Sequence, residues 1–166
     1  HGFSSIVYAC RPQSRGHVGL RDAHVDSAPA LHPNYFSVEQ DLIDTRNGFR
    51  ETRRVFMQAA FDEYRGDQLK PPATINVDSD DELDAWIRKT GETLYHPVGT
   101  CKMGQDDMAV TNEQGLVHGL SALRVVDASL MPTLIAGNTN APTIMMAEKI
   151  SDAILGLQVL PPEMPA

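Results

Sequence analysis

The sequence predicts an α+β protein in which an antiparallel β-sheet is flanked by helices. Three observations lead to this class. β-branched and aromatic residues open the chain, two stretches with helix-capping and helix-period signals occupy its middle, and short strand-like segments precede a last helical stretch. At 166 residues, of which 42% are hydrophobic, the chain is long and apolar enough to bury a core.

Two strands are expected near the start. Residues 4–10 are β-branched and aromatic and end at Arg11-Pro12, and residues 16–21 follow a turn. We expect these two segments to pair antiparallel. Residues 28–35 are rich in Pro and Asn and predict a loop.

The first predicted helix follows Ser37, which forms a capping box with Gln40. Its expected buried face extends to Tyr64, and Gly66 marks its end. That face consists of Phe49, Phe56, Ala60 and Tyr64.

A second helix is predicted after Ser79, which has capping-box spacing to Glu82 and is followed by acidic residues. It should end at Gly91. Its apolar stripe is Leu83, Trp86, Ile87 and Thr90. Residues 123–126 predict a strand, and a last helix is expected from Pro142 to Gly156, because proline is favoured at a first helical position.

Charge and composition exclude several function classes. A net charge of −8 disfavours binding to nucleic acid or to an anionic membrane surface. No apolar run has the roughly 20 residues of a spanning helix, and the start lacks a signal-peptide pattern, which favours a cytoplasmic or peripherally membrane-associated protein. Cys10 and Cys101 have no metal-binding spacing and are expected to be reduced, and no metal site is predicted. Because the chain opens at His1 without Met, we expect it to be part of a longer product.

Two segments carry residues suited to chemistry. In residues 94–104, His96 lies before Pro97, which restricts its backbone, and histidine is the usual general base near neutral pH. In residues 124–143, Asp127 ends a strand-like run, and a polar loop then feeds a helix whose first N–H groups attract negative charge.

Purely structural interpretations remain open for the same residues. His96 suits a loop histidine bonded to backbone, Asn138 and Asn140 suit turn or cap positions, and Asp127 suits the end of a strand.

Five segments resemble, in order, the C-terminal domain of the glucose–methanol–choline (GMC) oxidoreductases. They read RPQSRGHVGL, LHPNYFS, HPVGTCKMG, LRVVDASLMP and GNTNAPTIMMAEKISDAI. The resemblance covers nearly the whole chain, and the agreement of several spaced motifs makes it more specific than any single pattern.

The resemblance implies an FAD-dependent oxidation of a small primary alcohol. His96 matches the base that takes the hydroxyl proton while a hydride passes to the flavin, and Asn138 matches the residue that bonds the substrate oxygen. Asn at that second position looks more like choline and alcohol dehydrogenases than like glucose oxidase. The implied FAD contacts are Asp127, Ala128, Thr139, Asn140 and Thr143.

The resemblance also implies a division of the chain. Residues 1–136 would form the substrate-binding domain, residues 137–157 the active-site loop and the helix that completes the absent FAD domain, and residues 158–166 a tail. The Gly-x-Gly-x-x-Gly phosphate loop is missing. The expected partner is therefore an N-terminal FAD-binding portion, and the isolated chain should be inactive. The apolar face of the last helix would then favour self-association.

Two other hypotheses remain. The chain would be a non-catalytic module that pairs with a separate FAD-binding chain, or a small hydrolase that uses His96 with Ser129 or Cys101. The second lacks an orienting acid and a nucleophile elbow. The electron acceptor and the alcohol itself stay open.

Overall fold

A computed structural model describes residues 2–158 and gives the chain an α+β architecture, which confirms the predicted class. Its elements, in chain order, are strands β1 (His17–Gly19) and β2 (Ala30–His32), helix α1 (Glu39–Phe56), a 3₁₀ helix (Ala59–Phe61), helix α2 (Asp80–Thr90), a 3₁₀ helix (Ala128–Leu130) and helix α3 (Asn140–Leu155).

The chain forms two compact units, His1–Leu94 and Tyr95–Ala166. The predicted division after residue 136 concerns a domain outside this chain and stays a prediction. In the described part of the chain, no helix is both long and apolar enough to cross a membrane.

In the two-stranded sheet of the first unit, β1 pairs with a different segment from the one that the sequence predicts. β1 pairs antiparallel with β2, so that His17 lies opposite His32. The predicted loop at residues 28–35 therefore contains a strand, and the predicted strand at residues 4–10 is wrong.

Residues 4–10 join no sheet, and one of them, Val7, contacts α1. The side chain of Val7 lies over Gly48, where an added Cβ would come within 2.7 Å of a Val7 methyl group. The ring of Phe3 lies 5.0 Å from that of Phe56 and 5.9 Å from that of Phe61. Within residues 4–10, Val7 contacts the helix, whereas Ile6 is 71% and Tyr8 44% exposed. Residues that favour a strand therefore do not pair as one here, because strand formation depends on packing against neighbours.

The start of α1 is not capped by Ser37. Its N-cap is Val38, whose N–H donates to the Ser14 hydroxyl oxygen at 3.1 Å. The backbone N–H groups of Gln13 and Ser14 each donate to the carboxylate of Asp41 at 2.7 Å. The predicted capping box is wrong because a distant loop supplies the partners for this helix start.

The end of α1 also differs from the prediction. The helix stops at Phe56 rather than near Gly66, and the Arg65 guanidinium donates to the Phe56 carbonyl oxygen at 2.8 Å. A side chain nine residues along thereby satisfies a carbonyl that the helix leaves free.

Helix α2 begins and ends where the sequence indicates. The Ser79 hydroxyl accepts from the Glu82 N–H at 3.4 Å, while the Glu82 carboxylate accepts from the Asn76 N–H at 2.9 Å rather than reaching back to the cap. α2 packs on α1 through a buried core of Leu42, Leu83 and Ile87, flanked by Phe36, Phe49 and Trp86. Ion pairs join the same two helices: Arg46 pairs with Asp80 and Asp84, and Arg50 pairs with Asp80.

The second unit consists mostly of loops that are connected by backbone hydrogen bonds. The strand predicted at residues 123–126 is reduced to a single antiparallel bridge between Leu116 and Arg124. α3 begins two residues before Pro142, which the third helical position also accommodates because its N–H would lack a helical partner. It ends at Gly156, as predicted. The predicted tail lies almost wholly outside the described residues.

Candidate active site

The loop that carries His96 has an unusual backbone on both sides of it. Tyr95 has a φ of 63°, a region that non-glycine residues rarely occupy, and Pro97 follows. Gly99 has a φ of 87°, and its carbonyl accepts from the Lys102 N–H at 3.2 Å, which closes a turn. His96 itself is half-buried. Its position is therefore set by a constrained backbone, as the sequence predicts.

Two backbone hydrogen bonds attach this loop to the 3₁₀ helix Ala128–Leu130. The Cys101 N–H donates to the Ser129 carbonyl at 3.1 Å, and the Met103 N–H donates to the Leu130 carbonyl at 2.9 Å. Leu130 is buried, with 1% of its surface exposed, and therefore fixes the 3₁₀ helix in the unit. The two segments singled out from the sequence are thus joined directly.

Asp127 shapes the start of that 3₁₀ helix. Its carboxylate accepts from the Ser129 N–H at 2.8 Å and from the Ser129 hydroxyl. Asp127 thus caps a 3₁₀ helix rather than ending a strand, and its contact with FAD, like that of the half-buried Ala128, stays a prediction. The Ser129 hydroxyl donates its hydrogen bond to Asp127, and His96 Nδ1 is bonded to Thr139, so the described hydrogen bonds include no Ser129–His96 pair of the kind that the hydrolase hypothesis needs.

His96 is bonded to the start of α3. The Thr139 hydroxyl oxygen lies 3.0 Å from His96 Nδ1. Asn138 is exposed and adjoins Thr139 in the chain, so that their Cα atoms are about 3.8 Å apart. The structure thereby brings His96 and the loop of Asn138 to the same helix start.

The remaining predicted residues lie on the first turn of α3. Asn140 is exposed, whereas the Thr143 hydroxyl donates to the Thr139 carbonyl at 2.7 Å. The N–H groups of this turn that precede Pro142 have no acceptor within the helix and give it a partial positive charge. A histidine beside such a terminus can exchange a proton next to a group that gains negative charge.

The sequence did not indicate that Thr139 is the partner of His96. A threonine before a helix is a common cap residue, and nothing in the sequence reports that its hydroxyl points to a side chain 43 positions away.

An ion pair lies in the segment that follows His96. The Lys102 ammonium donates to Asp106 at 2.8 Å, and this bond, with the Met108 N–H, holds the pKa of Asp106 below its usual value. Cys101 is a free thiol in this loop. Among the described residues, no group of three or more His, Cys, Asp or Glu side chains is placed to hold a metal ion.

Comparisons with known proteins establish the family of the chain. The family model described as GMC oxidoreductase matches residues 12–147. The chain is 49% identical over 161 residues to the oxygen-dependent choline dehydrogenase of Chromohalobacter salexigens, a match that covers 97% of this chain and 28% of that protein.

Solved structures are similar as well. The pyridoxine 4-oxidase of Mesorbium loti superposes with a TM-score of 0.82 at 30% identity, covering 90% of this chain and 29% of that one. An FAD-dependent oxidoreductase from Chaetomium thermophilum superposes with a TM-score of 0.80 at 25% identity, covering 89% and 25%.

The chain thus spans less than a third of the length of these proteins. The cofactor expected from the sequence is confirmed at the level of the family, because an FAD-dependent enzyme is among the matched structures. With the family model covering residues 12–147 and the predicted motifs in place, this chain belongs to the GMC oxidoreductases and corresponds to their C-terminal domain.

Proposed function

We propose that this chain carries the substrate-side part of the active site of an FAD-dependent enzyme that oxidises the CH–OH group of a small primary alcohol. The observation that carries the proposal is the bond from His96 Nδ1 to Thr139 at 3.0 Å, which holds an imidazole at the start of α3. Relatives described as oxygen-dependent choline dehydrogenases make choline the first candidate substrate and oxygen the first candidate acceptor.

The residues at the start of α3 fit a flavin. The N–H groups of Asn140 and Ala141 have no acceptor within the helix, and the exposed side chains of Asn138 and Asn140 add further donors. Donors at a helix start suit the pyrimidine edge of a flavin, which gains negative charge on reduction. Thr139 and Thr143 would border the ring, and Asp127 with Ala128 would border it from the 3₁₀ helix. When bound, FAD supplies the acceptor for the hydride of the carbinol carbon.

The side chains of this chain handle the proton. His96 takes the hydroxyl proton of the alcohol and becomes an imidazolium. The Asn138 amide donates to the oxygen as it gains negative charge, and this holds the oxygen in place while the aldehyde forms.

The first prediction concerns His96→Ala in the full-length enzyme. Because loss of a general base typically costs 10²–10⁴-fold in rate, we expect flavin reduction at saturating choline to slow by at least about 100-fold. Stopped-flow absorbance of the flavin measures this rate.

His24→Ala is the matched control, because His24 is an exposed histidine of the other compact unit. It should leave the rate unchanged. An unchanged rate in His96→Ala would remove His96 from the role of base.

The partner proposed is an N-terminal FAD-binding portion, in keeping with the 28% of the choline dehydrogenase that this chain spans. The alternative is a non-catalytic module that pairs with a separate FAD-binding chain. The two differ in the reading frame before His1: a Gly-x-Gly-x-x-Gly motif encoded there in frame supports one continuous enzyme. A cytoplasmic or peripherally membrane-associated location stays part of this proposal.

A further inference from the structure

Thr139 occupies a capping position without serving as a cap. It is the N-cap of α3, but among the described residues its side chain makes no capping hydrogen bond to the helix. Its backbone is helical, with φ −80° and ψ −10°, whereas a capping threonine is normally extended and accepts from the second or third helical N–H. The hydroxyl lies instead 3.0 Å from His96 Nδ1.

The hydroxyl of Thr139 is held in place by the helix and shielded from water. The Thr139 carbonyl accepts from the Thr143 N–H at 3.0 Å and from the Thr143 hydroxyl at 2.7 Å. Thr139 is only 9% exposed, and a β-branched side chain has few rotamers. A hydroxyl oxygen with few rotamers and little exposure to water can hold an imidazole ring in one orientation.

We propose that Thr139 is a positioning residue: its hydroxyl oxygen accepts from His96 Nδ1–H, so that Nε2 keeps its lone pair and is the nitrogen that takes the substrate proton. A neutral imidazole carries one N–H, and the bond made by one nitrogen decides the state of the other. If the hydroxyl donated to Nδ1 instead, Nε2 would carry the proton and would be unable to accept another.

The same arrangement serves the protonated ring. When Nε2 gains a proton, Nδ1 keeps its N–H and its bond to Thr139, so no partner has to move. The role rests on the proposed function of His96, whereas the tautomer itself is a property of this chain that can be measured without turnover.

The first test is nitrogen NMR of the enzyme labelled with ¹⁵N at histidine, in which loss of the His96 signals in His96→Ala identifies them. We expect Nδ1 to be protonated and Nε2 to be unprotonated at a pH where the ring is neutral. Thr139→Val should abolish that preference, and Thr139→Ser should keep it. A wild-type His96 protonated at Nε2 overturns the proposal whether or not Thr139→Val folds.

The second test is kinetic. Thr139→Val should slow flavin reduction by about 3- to 10-fold, the effect of one lost neutral hydrogen bond, with little change in KM for choline. Thr139→Ser should stay within about 2-fold of wild type. Thr90→Val is the matched control, because the Thr90 hydroxyl donates to a carbonyl inside α2 at 2.8 Å.

The outcomes separate the two claims. If His96→Ala leaves flavin reduction unchanged, the proposed function fails, whatever the tautomer. If His96→Ala slows flavin reduction while Thr139→Val keeps the wild-type rate and the wild-type tautomer of His96, only the positioning role of Thr139 fails.

Discussion

Asp41 is a buried residue whose carboxylate joins the start of α1 to the loop at residues 13–14. Only 3% of the residue is exposed, and its oxygens accept from the N–H groups of Gln13 and Ser14. Burial raises the pKa of Asp41, but the hydrogen bonds from Gln13 and Ser14 outweigh it and leave the pKa below its usual value. The ionised form therefore ties residues 13–14 to the start of α1.

The pKa of Asp41 predicts the direction of acid sensitivity. Because the folded pKa is lower than the unfolded value of about 3.9, its stabilising effect is complete above that value and is lost as pH falls through the folded pKa. Asp41→Asn should lower the free energy of unfolding by about 1–3 kcal/mol at pH 7, since an amide N–H₂ would face backbone donors.

Urea unfolding from pH 7 to pH 3 measures this effect. The difference between wild type and Asp41→Asn should shrink as pH falls. Asp44→Asn is the control, because Asp44 is exposed and accepts only from the nearby Gln40 amide in the described hydrogen bonds. Equal stability of wild type and Asp41→Asn at pH 7 would contradict a stabilising role for the bonds from Asp41 to residues 13–14.

At the scale of elements, α1 and α2 differ in where their capping partners come from. Ser79 caps α2 from the adjacent position, so the motif is readable in the sequence. The start of α1 depends on Ser14, 24 residues from Val38. Local motifs therefore predicted α2 correctly and misplaced the start of α1.

Gly48 in α1 gives a prediction at the same scale. Replacing a helical glycine by alanine usually stabilises by about 1 kcal/mol, but the new Cβ would lie 2.7 Å from a Val7 methyl group. Overpacking of this kind costs about 1–3 kcal/mol. We therefore expect Gly48→Ala to lower the free energy of unfolding by about 1 kcal/mol, measured by urea unfolding.

Val7→Ala supplies the matched background for that prediction. In Val7→Ala, where the close methyl group is absent, adding Gly48→Ala should raise stability by about 0.5–1 kcal/mol. A gain of the same size in the wild-type background would show that Val7 does not lie over Gly48.

At the scale of the whole molecule, much apolar surface is uncovered. On α3, Ile144, Met145, Ile154 and Leu155 are each more than half exposed, while Ile150 is buried and its terminal methyl would lie 3.3 Å from a Cβ added at Gly115. A helix with this much exposed apolar surface favours contact with another surface. Self-association of the isolated chain through this surface stays a prediction.

The missing phosphate loop leads to a prediction for the isolated chain. Most contacts to the adenine and diphosphate of FAD would come from residues outside it, so we expect weak FAD binding and no turnover. Titration of FAD with the chain, followed by flavin fluorescence, should give no saturable change at micromolar protein. Stoichiometric binding in that range would contradict the division of the cofactor site proposed for the family.

Local sequence patterns were sufficient to predict the family, the α+β class, helix α2 and the C-terminal end of α3, and they singled out His96, whose role as base stays a prediction. Each of these depends on residues close together in the chain: a cap and its helix, a stripe of period 3.6, or a run of motif residues.

Three features became evident only from contacts between distant parts of the chain: Val7 packs on α1, β1 pairs with β2, and the Thr139 hydroxyl lies beside His96. In each case the local pattern is compatible with more than one partner. The partner is selected by residues far along the chain, because burial and hydrogen bonding are settled only when those distant groups come together.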